Sequence, residues 1–152
     1  MNRPNRTAFC LVVIAAAAAY GEEKPLNPRQ VTEKYLSAVQ AGKADDAAAL
    51  AAPGSTEGSK KRIGEYKELF GSDPIKLSRV LAGKKDQALA ISEAVRIKSA
   101  KANEPDTGYL LIKLSKIQDQ WRVKDVDFKS AEAVKKAIDA FKDKNGDVEE
   151  LP

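Results

Sequence analysis

The sequence holds no histidine, and its single cysteine is Cys10. Without histidine, triads built on an imidazole base and zinc sites of the usual ligand sets are excluded. Cys10 opens an apolar run rather than closing it, which is not where a lipid-bearing cysteine sits. Removal of that run would leave a chain with no cysteine at all, so no disulfide is expected and stability must come from packing. Aromatic residues are scarce at 6% of the chain, with Trp121 the one tryptophan. The 26 basic and 22 acidic residues are interleaved along the 152 positions. A nucleic-acid surface needs a basic stripe with aromatics between its charges. No such stripe is present, so no nucleic-acid partner is expected. No cofactor or metal is expected either: Asp125 and Asp127, one residue apart, make no specific metal pattern.

The N-terminus carries a different signal. Arg3 and Arg6 precede an unbroken apolar stretch over residues 8–19. Small residues then stand at Ala17 and Ala19, or at Ala19 and Gly21, where signal peptidase prefers them. The run is shorter than the about 20 apolar residues a bilayer span needs. A secreted or periplasmic protein without a stable membrane anchor is therefore expected, with an uncleaved anchor as the rival reading. Loss of Arg3 and Arg6 would take the formal net charge from +4 to +2. The expected organisation is a signal peptide over residues 1–21, a linker over 22–27, one domain over 28–128, a C-terminal helix over 129–145 and an acidic, frayed tail over 146–152.

Composition over the whole sequence is that of a soluble globular protein, 43% hydrophobic and 32% charged. Asn27-Pro28 with Gln30 three residues on is the signature of a capped helix start. Val31, Tyr35, Ala38 and Val39 form its apolar stripe, and Gly42 ends it. A second, alanine-rich helix is expected over residues 44–52, closed by Pro53-Gly54. Asp45-Asp46 suit a helix start. A third is expected over 60–70, with Ile63, Tyr66, Leu69 and Phe70 on one side, weakened by Gly64 at a cost of about 1 kcal/mol. Lys60, Lys61 and Arg62 read as a solvated helix end.

Four antiparallel strands should follow. The first starts at Ile75, where a change of phase at Val80-Leu81 predicts a bulge near Arg79. Gly83 to Asp86 reads as a hairpin turn. The second runs over residues 87–98 and places Leu89, Ile91, Glu93, Val95 and Ile97 on one face. Residues 108–128 supply the last two strands: Leu110, Ile112 and Leu114 alternate with Tyr109, Leu111 and Lys113, Gln118-Asp119 breaks the run, and Trp121 and Val123 resume it. A last helix follows, capped by Ser130, striped by Val134, Ala137, Ile138 and Phe141, and stopped by Asn145-Gly146. Helices and strands that come in runs argue α+β, with helices packed on one face of the sheet.

Two stretches carry a family resemblance. YLSAVQAGKADDAAAL over residues 35–50 resembles the opening helix pair of NTF2-like (SnoaL/ketosteroid-isomerase-like) domains. LSKIQDQWRVKDVD over residues 114–127 is similar to their closing hairpin. The resemblance spans roughly residues 28 to 128. It implies an NTF2-like cone, N-terminal helices on a curved four-stranded antiparallel sheet, here with a C-terminal helix added and without the usual strand after the helix pair. Enzymes of that superfamily place an Asp, His or Tyr within the cone, and this chain offers only carboxylates and tyrosines.

Glu93 is the candidate general base, because its phase points it into the apolar row and burial there would raise its pKa. The reading preferred over it is that a bulge turns Glu93 to solvent or that a basic neighbour pairs with it. Tyr35, Tyr66, Tyr109 and Trp121 join Glu93 as the residues that would line a pocket, although for Trp121 the preferred reading is a plug in the sheet–helix core, and Tyr35 and Tyr66 read as core residues with their hydroxyls at the rim. The expected function is an exported non-catalytic module that binds a small apolar ligand or a protein partner. The alternative is a small isomerase- or dehydratase-type enzyme using Glu93. A homodimer through an open sheet face is compatible with either.

Overall fold

The first helix, α1 (Pro28–Gln40), begins where the sequence places its cap. Asn27 Oδ1 accepts from the Gln30 N–H at 2.9 Å, and Gln30 Oε1 accepts in return from the Asn27 N–H at 3.1 Å. The reciprocal pair satisfies two amides that the helix leaves without partners. The structure, a computed structural model, describes residues 24–55, 73–97 and 107–152. The helix expected over residues 60–70 and the loop leading to Thr107 lie largely or wholly outside them. The helix α2 (Ala44–Leu50) is shorter than expected. The chain becomes extended at Ala51, bridges Val123, and sends the Ala52 N–H to the Val123 carbonyl at 2.8 Å. Pro53 biases Ala52, the residue before it, out of the helical region, and the pairing with Val123 takes the chain out one residue earlier, at Ala51.

The sheet has six strands among the described residues, not four: β1 (Leu77–Gly83), β2 (Gln87–Ser92), β3 (Val95–Arg96), β4 (Thr107–Ile117), β5 (Gln120–Lys129) and β6 (Val148–Glu150). All strand pairs are antiparallel. Central β4 pairs with β2, with β3 and with β5, while β1 joins β2 to β6. The hairpin of β4 and β5 turns at Gln118-Asp119, both with positive φ (49° and 60°). That is the two-residue turn whose twist matches the flanking strands.

Three one-residue register shifts shape this sheet. The first lies between Leu77 and Arg79, where the Ser78 hydroxyl bonds to the carbonyls of Ile91 and Ser92. The second splits the long strand expected over residues 87–98 into β2 and β3. Ile91 pairs with Leu111, yet Val95 pairs with Gly108, so the pairing slips by one at Glu93-Ala94. The fully buried Ser92 Oγ fills the gap, accepting from the Leu110 N–H at 2.8 Å and donating to the Glu93 carbonyl at 2.7 Å. The third, at Lys124, lets both Val123 and Val126 face the same core.

Apolar residues cover both faces of the sheet. On one face, Val31, Tyr35, Leu36 and Val39 of α1 meet Val80, Ala90, Leu110, Ile112, Leu114 and Val123. On the other, Leu81, Leu89, Ile91 and Leu111 are covered by Val134, Ala137, Ile138 and Phe141 of the C-terminal helix α3 (Ala131–Asn145). The expectation that the helices share one face therefore fails for α3. Strands with apolar residues on both faces require cover on both, and the α3 stripe supplies the second.

The segment after Gly146 is not frayed. It forms β6 on the edge of β1, with Leu81 opposite Glu150 and Gly83 opposite Val148. Arg79 donates two hydrogen bonds to the Glu150 carboxylate (2.9 and 2.7 Å), and the Leu151 N–H bonds to Val80 O at 2.8 Å. The Arg79 hydrogen bond holds the Glu150 carboxyl below its ordinary value of 4.5. A depressed folded pKa makes the contribution present above that value and lost as pH falls through the folded one. Acidification below about pH 4 should therefore lower hydrogen-exchange protection at the Leu151 amide before the core amides respond. Glu150→Gln should show reduced protection at neutral pH and no further drop in acid from this pair.

Candidate functional site

The residues expected to share a pocket are dispersed by the fold. Tyr35 is 2% exposed and lies in the α1-side core. Tyr66 lies outside the described residues. Tyr109 is half-buried against the α3-side cluster, across the sheet from Tyr35. Trp121 is half-buried at the rim of the α1-side core and lines a shallow hollow of about 290 Å³ with Leu26, Val31 and Leu50. Glu93 is exposed: it turns to solvent, as the bulge reading has it, and the placement inside the apolar row fails. The slip at Glu93-Ala94 is the cause: Leu89 and Ile91 face α3, while Val95 beyond the slip packs with the α1-side core.

A larger cleft, about 620 Å³, opens between α3 and the sheet. Antiparallel pairing builds its floor. Leu89 stands opposite Lys113, and Lys113 opposite Asp125, so one row crosses β2, β4 and β5. Gln87 opposite Ser115 forms the adjacent row. Above them, Ala137, Ala140 and Phe141 recur at i, i+3 and i+4, which places them on one side of α3. Ser55 enters from the segment after α2, its hydroxyl bonded to the Lys124 carbonyl at 3.2 Å.

Electrostatics along the cleft are set by β4 and β5. Lys113 Nζ lies 3.1 Å from an Asp125 oxygen and 3.6 Å from Asp127 Oδ2, and Lys129 Nζ lies 3.9 Å from that same Asp127 oxygen. The hydrogen bond to Asp125 raises the Lys113 pKa, and partial burial opposes it. Lys113 is thus held charged and committed to its own strand neighbours. Among the described residues, no group of three or more histidine, cysteine, aspartate or glutamate side chains is placed to hold a metal, and no helix is long and apolar enough to cross a membrane.

No protein-family model matches the chain, and no curated protein matches it. Solved structures do. One is a SEC-C motif containing protein from Rhodopseudomonas palustris, 10% identical, with a TM-score of 0.50 over 66% of this chain and 77% of that one. Another is an NTF-2 like protein of unknown function from Shewanella oneidensis MR-1, 15% identical, with a TM-score of 0.44 over 63% of this chain and 94% of that one. At such identities the likeness is one of fold alone.

The cleft was only partly foreseeable. Phe141 and Ala137 belong to the stripe read from the sequence, whereas Lys113, Lys124 and Lys144 carried no motif. Lys113 did leave a trace, as a charge that follows Tyr109 and Leu111 on one side of β4.

Proposed function

We propose that this chain is a non-catalytic binding module of the NTF2-like kind, receiving a small apolar ligand in the cleft between α3 and the sheet. The observation that carries the reading is the cleft itself: about 620 Å³, with Leu89, Leu111, Ala137, Ala140 and Phe141 among its lining residues. That volume falls in the range of about 300–1,000 Å³ typical of small-molecule sites. The NTF2-like assignment is supported by the two motifs at residues 35–50 and 114–127 in their proper order. An exposed Glu93 removes the apolar enclosure on which the enzymatic alternative relied. Among the described residues the buried polar side chains are Thr32, Ser92 and Asn145, none of them a carboxylate.

A protein partner or a second copy of the chain remains the rival occupant. The sheet face such a copy would use is in part covered by α3. Export belongs to the same reading, supported by the Arg3, Arg6 and residue 8–19 pattern, and material recovered outside the cytoplasm should begin between Tyr20 and Glu22.

Ala140→Trp tests the site. Ala140 is exposed on α3 and lines the cleft, so an indole there fills the space without entering the core. Binding of a neutral apolar fluorophore, N-phenyl-1-naphthylamine, should fall at least about tenfold, while stability changes by less than about 0.5 kcal/mol. Unchanged binding would place the ligand elsewhere.

A further inference from the structure

Leu89, Leu111, Ala137, Ala140 and Phe141 give the cleft an apolar lining, and its charged residues are mostly cationic. Three of the four charged residues lining it are lysines, Lys113, Lys124 and Lys144, against the single carboxylate of Asp125. Their situations differ. Lys113 is bound to Asp125 and Asp127. Lys124 and Lys144 are exposed, and among the described residues the side chain of neither makes a hydrogen bond or ion pair. Asp125, the one acid among the lining residues, is already engaged by Lys113. Two uncompensated ammonium groups thus border an apolar surface, each on a stem able to lie along that surface while its head stays in water.

We propose that the ligand is an amphipathic monocarboxylate, its apolar body on Leu89, Leu111 and Phe141 and its carboxylate on Lys124 and Lys144. The inference rests on the reading of the cleft as the ligand site and adds the charge of the ligand. A neutral apolar molecule would leave both ammonium groups without a counter-charge. A cation would be repelled by them, since Asp125 is occupied. Two lysines act as point charges with rotatable donors, suited to a carboxylate that is not held in a fixed bidentate plane.

The test uses the whole chain with dodecanoate and dodecan-1-ol, both below their aggregation and solubility limits, in displacement of N-phenyl-1-naphthylamine. Dodecanoate should bind about tenfold more tightly than the alcohol, and added salt should narrow the gap. In the double variant Lys124→Gln/Lys144→Gln the carboxylate should fall to the level of the alcohol while the alcohol keeps its affinity. Both residues are exposed, so the variant is expected to fold, and its thermal midpoint checks this. Equal binding of acid and alcohol in the unaltered chain, with no effect of the double variant, would overturn the anion assignment and leave the cleft standing as a neutral site. Failure of both ligands to bind, or binding indifferent to Ala140→Trp, would overturn both readings. Self-association of the unaltered chain that the double variant abolishes, without binding of either ligand, would make the cleft an interface between copies and would also overturn the proposal.

Discussion

Replacing Tyr35 with alanine should destabilise the protein by about 3–5 kcal/mol, read as a lower midpoint in urea at constant slope. The ring is 2% exposed and sits in the middle of α1 among Val31, Val39, Ile112 and Leu114, all in one buried cluster. Truncation removes the transfer energy of the ring and leaves a void that the sheet beneath, held by β2 and β5 on either side of β4, cannot easily close. Ligand binding in the cleft under α3 should survive at temperatures where the variant remains folded, because the sheet separates the two clusters. A loss below about 1 kcal/mol would mean that the α1 side is open, and the roles of the two faces would exchange.

Gly108→Ala should cost about 2–3 kcal/mol, the larger end of what overpacking usually brings. A Cβ at this position would run into Phe128 Cζ and stand 2.9 Å from the backbone oxygen of Lys129. The aromatic ring lies over the glycine between neighbouring strands, filling the place a side chain would take. Phe128→Leu should relieve part of the cost, so that the double variant is less destabilised than the sum of the single ones. Additive losses would show that the backbone contact with Lys129, rather than the ring, sets the penalty.

Local chemistry was legible wherever the cause was local. The cap at Asn27, the turn at Gln118-Asp119 and the helix stop at Gly146 each depend on residues within four positions, and each stands where the sequence puts it. The register shifts are harder, because one extra residue alters no composition. One of them leaves a change of parity, where apolar residues of one core move from Val123 to Val126, whereas Leu89, Ile91 and Val95 keep one parity along the chain and still face opposite sides of the sheet. The slip at Glu93-Ala94 therefore left the alternation from Leu89 to Ile97 unbroken in the sequence, and only the pairing with β4 shows it.

Long-range pairing left no sequence signal of its own. Nothing near Val148–Glu150 announces a strand, since the pairing depends on Arg79 and the open edge of β1. The position of α3 belongs to the same class. Its amphipathic stripe was clear, but the face it covers is decided by the sheet. Ala88-Leu89-Ala90-Ile91 and Leu110-Leu111-Ile112 are buried on both sides. Runs of that kind demand a layer on each face, and from that demand the cleft follows, because α3 bridges Leu89 and Leu111 without filling the space toward Lys113 and Lys124.

The most direct test of the cleft as the binding site is a map of amide chemical shifts during titration with dodecanoate. The account predicts that perturbations gather at Leu89, Leu111, Ala137, Ala140 and Phe141, with the amides of Tyr35, Ile112 and Trp121 unmoved. Perturbations centred on Tyr35, Ile112 and Trp121, with α3 silent, would contradict it and return the ligand to the side of the sheet that α1 covers.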